Sequence, residues 1–141
     1  MLTNRPRVAS IEWLEPLMLG ATWMPELITL AGGEPVGAAP GELAKTVSPA
    51  QLSALTPDVV VVKPCGFDLR RTLRERAVVE RVVLGSVSPR ARVYAADGNA
   101  FFNRPGPRLV ESLEILAACI QPQLFQDFAR KHEAVLLRLG A

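Results

Sequence analysis

The sequence predicts an α/β fold of three layers, a mainly parallel sheet flanked by helices. Strand and helix signals alternate along the chain three times, the pattern of a right-handed α/β layer. Val59-Val-Val-Val62 is an apolar β-branched run without polar alternation, as expected of a strand covered on both faces. The 141 residues, 49% hydrophobic and 21% charged, suffice for one domain that buries its core without disulfides or metals.

Arg7 to Ile11 reads as the first strand, and Glu12 to Thr22 as the loop that leaves it, marked by Pro16 and Gly20. A helix follows from Trp23 to Ala31, with Pro25 in its first turn and Leu27, Leu30 and Ala31 on one stripe. Gly32-Gly33 stops it, because glycine accepts the left-handed conformation at a helix end. Glu34 to Thr46 is rich in Gly, Ala and Pro and reads as a surface loop with room for one short extended piece. Ser48-Pro-Ala-Gln51 carries a capping box with proline at the first helical position, opening a short helix that Thr56-Pro-Asp58 ends.

After the valine strand and the turn Pro64 to Phe67, Asp68 is placed to cap a helix from Leu69 to Leu84. Its inward set is Leu69, Leu73, Ala77 and Leu84, with Arg70, Arg71, Arg74 and Arg81 outward. Arg92 to Ala95 is the third strand, followed by an Asp97-Gly-Asn99 turn and a loop from Ala100 to Pro105. Two helices complete the reading. One runs from Pro107 to Ile120, with Leu109, Leu113, Leu116 and Ala117 on one face. The other is an amphipathic tail over Leu124 to Leu139, so that about 122–141 is expected to be helical within a single domain, 1–141.

Sixteen basic residues against fourteen acidic ones give a net charge of +2, too small to make nucleic acid or a membrane surface the expected partner. One histidine and two cysteines exclude a metal site built of several His and Cys ligands. The chain shows no signal peptide and no apolar run long enough to span a bilayer.

Catalytic constellations fare poorly. Cys65 with His132 offers a nucleophile and a base, but no third orienting group is indicated. Asp97 fits a turn better than a phospho-acceptor. Gly32-Gly33 follows a helix, not a strand, and so makes no phosphate loop. The arginines of 70–81 are interrupted by Glu75 and Glu80, as on a solvated helix face.

In an open α/β sheet, ligands bind beyond the carboxyl ends of the strands. The three loops at that edge hold Trp13, Phe67, Phe101 and Phe102, four of the chain's eight aromatics, and Trp23 stands just past the first loop. This arrangement suggests an aromatic ligand surface bordered by Asn99, Asn103 and Arg104. The competing reading is that Trp13, Trp23 and Phe67 plug the top of the core.

These same residues carry a family resemblance. Glu12-Trp-Leu-Glu-Pro16, then Trp23-Met-Pro-Glu-Leu27 running to Ala31-Gly-Gly33, resembles the opening of the second lobe of class III periplasmic binding proteins. Pro64-Cys-Gly-Phe67 and Asp97-Gly-Asn-Ala-Phe-Phe-Asn-Arg-Pro-Gly-Pro-Arg108 are similar to the cobalamin-binding branch. The match runs in order from Arg5 to Pro122.

The resemblance implies one Rossmann-like lobe of a helical-backbone fold, in which two lobes are joined by a long helix and the ligand lies flat between them. It implies the substrate-binding component of an ABC importer for vitamin B12, another corrinoid or an iron–siderophore complex, working with a permease outside the cytoplasm. It implies no enzyme activity and no resident cofactor. Carried over residue by residue, the ligand-facing positions are Trp13, Trp23, Cys65, Gly66, Phe67, Asn99, Phe101 and Phe102.

The family docks on its permease through a carboxylate near the helix after Val47-Ser48, where this sequence has Pro49-Ala-Gln51; Glu42 and Glu34 are the nearest substitutes. A single lobe supplies half a cleft, so its apolar face is expected to self-associate. A stand-alone α/β interaction or scaffold domain is the competing class, and a small hydrolase or transferase using Cys65 the third.

Overall fold

The computed structural model describes residues 5–102 and 108–140. Its centre is three parallel strands, β1 (Arg7–Leu14), β5 (Val59–Val62) and β6 (Arg92–Ala96), with β5 in the middle. Val59 to Val62 are all fully buried, so both faces of β5 meet apolar layers. Val59 and Val61 face one core with Val8, Tyr94 and Ala96. Val60 and Val62 face the other with Ala9, Ile11, Val93 and Ala95.

On the first face lie α1 (Met24–Leu30) and α5 (Leu109–Ile120); on the second, α2 (Pro49–Ala54) and α4 (Arg76–Val82). The expected three-layer α/β fold with a mainly parallel sheet is therefore present. The capping box is present too. Ser48 Oγ accepts from the Gln51 N–H at 3.0 Å, and Gln51 Oε1 accepts from the Ser48 N–H at 2.8 Å.

Four local expectations are corrected. The first strand does not end at Ile11. It runs to Leu14, bulges at Glu12, and turns at Glu15-Pro16 into an antiparallel partner, β2 (Leu17–Leu19). Leu14, Leu17 and Leu19 are buried while Met18 is half-exposed, a period-two pattern too short to stand out in the sequence. In α1, Leu30 is 72% exposed, and the buried stripe is Met24, Leu27, Ile28 and Ala31. That spacing, i, i+3, i+4 and i+7, is the regular helical one.

The helix expected over 69–84 is two, α3 (Leu69–Arg74) and α4, divided at Glu75 and followed by a 3₁₀ turn at Leu84–Ser86. The buried positions are Thr72, Val79, Val82 and Val83, with Ala77 exposed. Their spacing stays in phase across the break, so periodicity alone does not reveal it.

The tail is not a long helix. A short α6 (Gln126–Lys131) leads to β7 (Leu136–Leu139), which pairs antiparallel with β6. The open edge of β6 offers backbone hydrogen bonds to this segment, and tertiary pairing overrides the helical propensity of its leucines. At the opposite side β2 pairs with β4 (Lys45–Thr46), while β3 (Glu34–Pro35) runs parallel to the start of β1.

The tail is fastened through Glu114 on α5. Lys131 Nζ donates to Glu114 Oε1 at 2.9 Å, and His132 Nε2 lies 2.9 Å from the same oxygen. These hydrogen bonds, that from Lys131 first, hold the Glu114 carboxyl below its ordinary value of 4.5. A carboxyl depressed in the folded state stabilises the fold above its unfolded value, and that contribution is lost as pH falls through the folded value. Glu114→Gln is therefore expected to lower stability by about 1–2 kcal/mol near neutrality. In urea unfolding followed by circular dichroism, the gap between wild type and variant should close on acidification below pH 4.5.

Candidate ligand-binding edge

The carboxyl ends of β1, β5 and β6 open onto one edge, reached by the loops after Val62 and Ala96 and by the start of α1. Two of these loops are clipped to each other. The Gly98 N–H donates to the Phe67 carbonyl at 2.8 Å, and the Gly66 N–H donates to the Gly98 carbonyl at 3.2 Å. Gly98 is buried, and a Cβ there would lie 2.6 Å from the Lys63 carbonyl oxygen, so only glycine fits. Asp97 fixes the turn itself, its Oδ1 accepting from the Asn99 and Ala100 N–H groups at 2.8 and 2.9 Å. The turn-forming reading of Asp97 stands.

This clip presents Cys65, Gly66 and Asn99 to solvent beside half-buried Phe67. Gly66 has a φ of +83° and open space around it. Trp13, also half-buried, meets the Phe67 ring edge-on, with centroids 5.2 Å apart and planes at 67°. The Arg71 guanidinium stands 4.8 Å from the Phe67 ring and pairs with Glu75 at 3.0 Å. Trp13, Phe67, Arg71 and Glu75 help line a shallow pocket of about 180 Å³. Five of the eight expected ligand-facing residues thus lie together at the edge: Trp13, Cys65, Gly66, Phe67 and Asn99.

The other three behave differently. Phe102 is 2% exposed and Phe101 6%, so neither offers its face to a ligand, contrary to expectation. Phe102 has a φ of +73°, which turns the chain inward, and its N–H donates to Ser112 Oγ of α5 at 3.1 Å. Phe101 packs edge-on against His132 at 6.3 Å. Trp23 is half-buried on the same core, and its indole N–H donates to the Phe102 carbonyl at 2.6 Å. Its ring ties the start of α1 to the Phe102 loop. Asn103 and Arg104 lie outside the described residues.

Sequence reasoning missed Lys63. It follows β5 directly and is 1% exposed, on the same face as Val59 and Val61. Its ammonium lies 5.7 Å from the Phe102 ring centroid. Burial lowers its pKa to about 8, partly offset by the Glu12 carboxylate. A lysine closing an all-valine buried strand was the available signal.

Cys65 is exposed and Cys119 buried, and both are free. His132 is engaged by Glu114 and Phe101, not by Cys65. Among the described residues no three His, Cys, Asp or Glu side chains gather as metal ligands.

Solved structures share this architecture. A periplasmic heme binding protein from Pseudomonas aeruginosa superposes with a TM-score of 0.66 at 24% identity, covering 85% of this chain and 44% of that one. An ABC transporter substrate-binding protein from Listeria monocytogenes gives 0.65 at 16%, over 85% of this chain and 49% of that one. The periplasmic vitamin B12 binding protein BtuF of Vibrio cholerae gives 0.64 at 21%, over 88% and 47%. The chain has the fold of a periplasmic binding protein lobe. It spans about half the length of these neighbours. No protein-family model and no curated protein sequence matches it. Among the described residues, no helix of the lobe is long and apolar enough to cross a membrane.

The lobe's edge depends on the glycine at the loop clip. Gly98→Ala is expected to destabilise by about 1–3 kcal/mol, since backbone atoms and not flexible side chains occupy the space. Thermal unfolding measures the loss, and the Trp13 fluorescence environment should change with it. A variant as stable as wild type would remove the clip from the account.

Proposed function

We propose that this chain is the second, C-terminal lobe of the substrate-binding component of an ABC importer, acting outside the cytoplasm. Its exposed edge supplies half of a cleft for a flat metal chelate: cobalamin, another corrinoid, a haem or an iron–siderophore complex. The observation that carries the reading is the gathering of Trp13, Phe67, Cys65, Gly66 and Asn99 at the carboxyl edge of a periplasmic binding protein lobe. The heme and vitamin B12 binding of two neighbours supports the ligand class.

The physical chemistry agrees. A tetrapyrrole or corrin is a broad, mostly apolar disc with a polar fringe. The Trp13–Phe67 pair offers apolar ring surface, while the Asn99 amide and the bare backbone around Gly66 offer polar contacts at close approach. One face of the disc covered by one lobe buries far less surface than a closed cleft, so affinity should be modest. Visible-absorbance titrations with cyanocobalamin and with haemin test this, with co-migration on gel filtration as a second readout. Binding of at least one chelate is expected, weakened about tenfold by Trp13→Ala. No spectral change with either chelate, and none with a ferric siderophore, would sink the reading.

The second reading, an α/β interaction domain without a transport role, draws on the docking position. Ala50 replaces the family's carboxylate, and both substitutes are occupied: Glu42 by Lys45 at 3.0 Å, Glu34 by Arg7 at 3.7 Å. In either role the half-buried Trp13–Phe67 face should pair copies of the chain. Light scattering at high concentration is expected to show reversible self-association, reduced by Phe67→Ser; a strict monomer would contradict it.

A further inference from the structure

The shallow pocket of about 180 Å³ beside the Trp13–Phe67 pair has a floor and a rim of different chemistry. Its floor is apolar, made by the two aromatic rings with Leu14, Pro64 and Val78. A cavity of about 150 Å³ with apolar walls accepts a benzene ring. This pocket therefore has room for a single ring and not for a corrin or porphyrin disc. It stands apart from the chelate surface proposed above, although Trp13 and Phe67 border both.

The rim carries both signs of charge. Arg71 and Glu75 line it as an ion pair at 3.0 Å, and Glu15 lines it paired with Arg81 at 2.9 Å. Three parts of the fold bring these groups together. The turn between β1 and β2 supplies Glu15, α3 supplies Arg71, and the break between α3 and α4 supplies Glu75. Arg71, Glu75 and Val78 keep the spacing i, i+4, i+7, so one helical face lines the pocket through the break.

Each pair meets through one guanidinium nitrogen and one carboxylate oxygen. An arginine has five N–H donors in a planar fork, and Arg71 is held over the floor by its position 4.8 Å from the Phe67 ring. The four charged side chains are between a third and two-thirds exposed. Ion pairs as open as these contribute little, so an incoming charged group can share or replace either partner at small cost.

We propose that this pocket is a binding site for a free aromatic α-amino acid. The ring occupies the apolar floor against Trp13 and Phe67, as aromatic pairs prefer. The carboxylate meets the Arg71 fork, and the ammonium meets the carboxylates of Glu75 and Glu15. Two arginines and two glutamates leave the rim without net charge, so a ligand of one sign is attracted by one group and repelled by the next. A zwitterion satisfies both.

The indole N–H region of a ¹⁵N spectrum holds one signal for each of the two tryptophans, and Trp13→Phe assigns them. Trp23, whose indole is bonded to the Phe102 carbonyl, is the internal control. L-Phenylalanine is expected to shift the Trp13 signal with a dissociation constant on the order of 1 mM and to leave Trp23 in place. Phenylpropionate and phenethylamine keep the ring and one charge each, and should bind about tenfold more weakly. Glycine, with both charges and no ring, should shift nothing. Arg71→Gln should bring phenylalanine down to the affinity of phenethylamine. A Trp13 signal that ignores phenylalanine well above that concentration, or equal affinity of wild type for all three ring compounds, would overturn the proposal. These titrations use no chelate, so their failure leaves the chelate reading standing, and loss of the chelate reading leaves them unaffected.

Discussion

Everything in this lobe follows from the double coverage of its central strands. Val59 to Val62 are in contact with apolar layers above and below, and the strands on either side alternate between the same two cores. A strand buried on both faces has no surface on which to build a polar site. Chemistry is therefore confined to the strand ends. At the carboxyl end, the loops after β5 and β6 are fastened to each other by backbone hydrogen bonds through Gly98. The side chains that reach solvent there are few, and they are held by a frame that does not depend on them.

How much of this was legible depended on the range of the interaction concerned. The valine run, the capping box at Ser48 and the Asp97 turn are local devices, and each was readable from a few adjacent residues. The β1–β2 hairpin and the β7 strand were not, because short leucine-containing runs say little about partners. The break at Glu75 was hidden for another reason: buried positions on its two sides share one helical phase. Placement on loops at the carboxyl edge of the sheet was correctly inferred for Phe67, Phe101 and Phe102, whereas Trp13 lies inside β1. Orientation was not, because Phe102 turns inward through a backbone conformation that its residue type does not announce.

The aromatic set accordingly divides into two working groups. Trp13 and Phe67 form the surface pair, edge to face and backed by Arg71. Trp23, Phe101 and Phe102 form an internal brace that joins α1, the loop after β6 and α5 through the indole hydrogen bond and Ser112. The brace lies within the core, and the surface pair lines the shallow pocket with Arg71 and Glu75. Sequence composition cannot separate these tasks, since both use the same residue types at the same edge.

The sheet's two borders have a consequence for how such a lobe keeps company. On one side it ends in β4, two residues long with Lys45 and Thr46 exposed; on the other it ends in β7, which turns Arg138 to solvent. A foreign strand seeking to extend the sheet finds a two-residue stub at one border and, at the other, a four-residue strand carrying the one exposed charge of Arg138. Growth into stacked ribbons is discouraged at both margins.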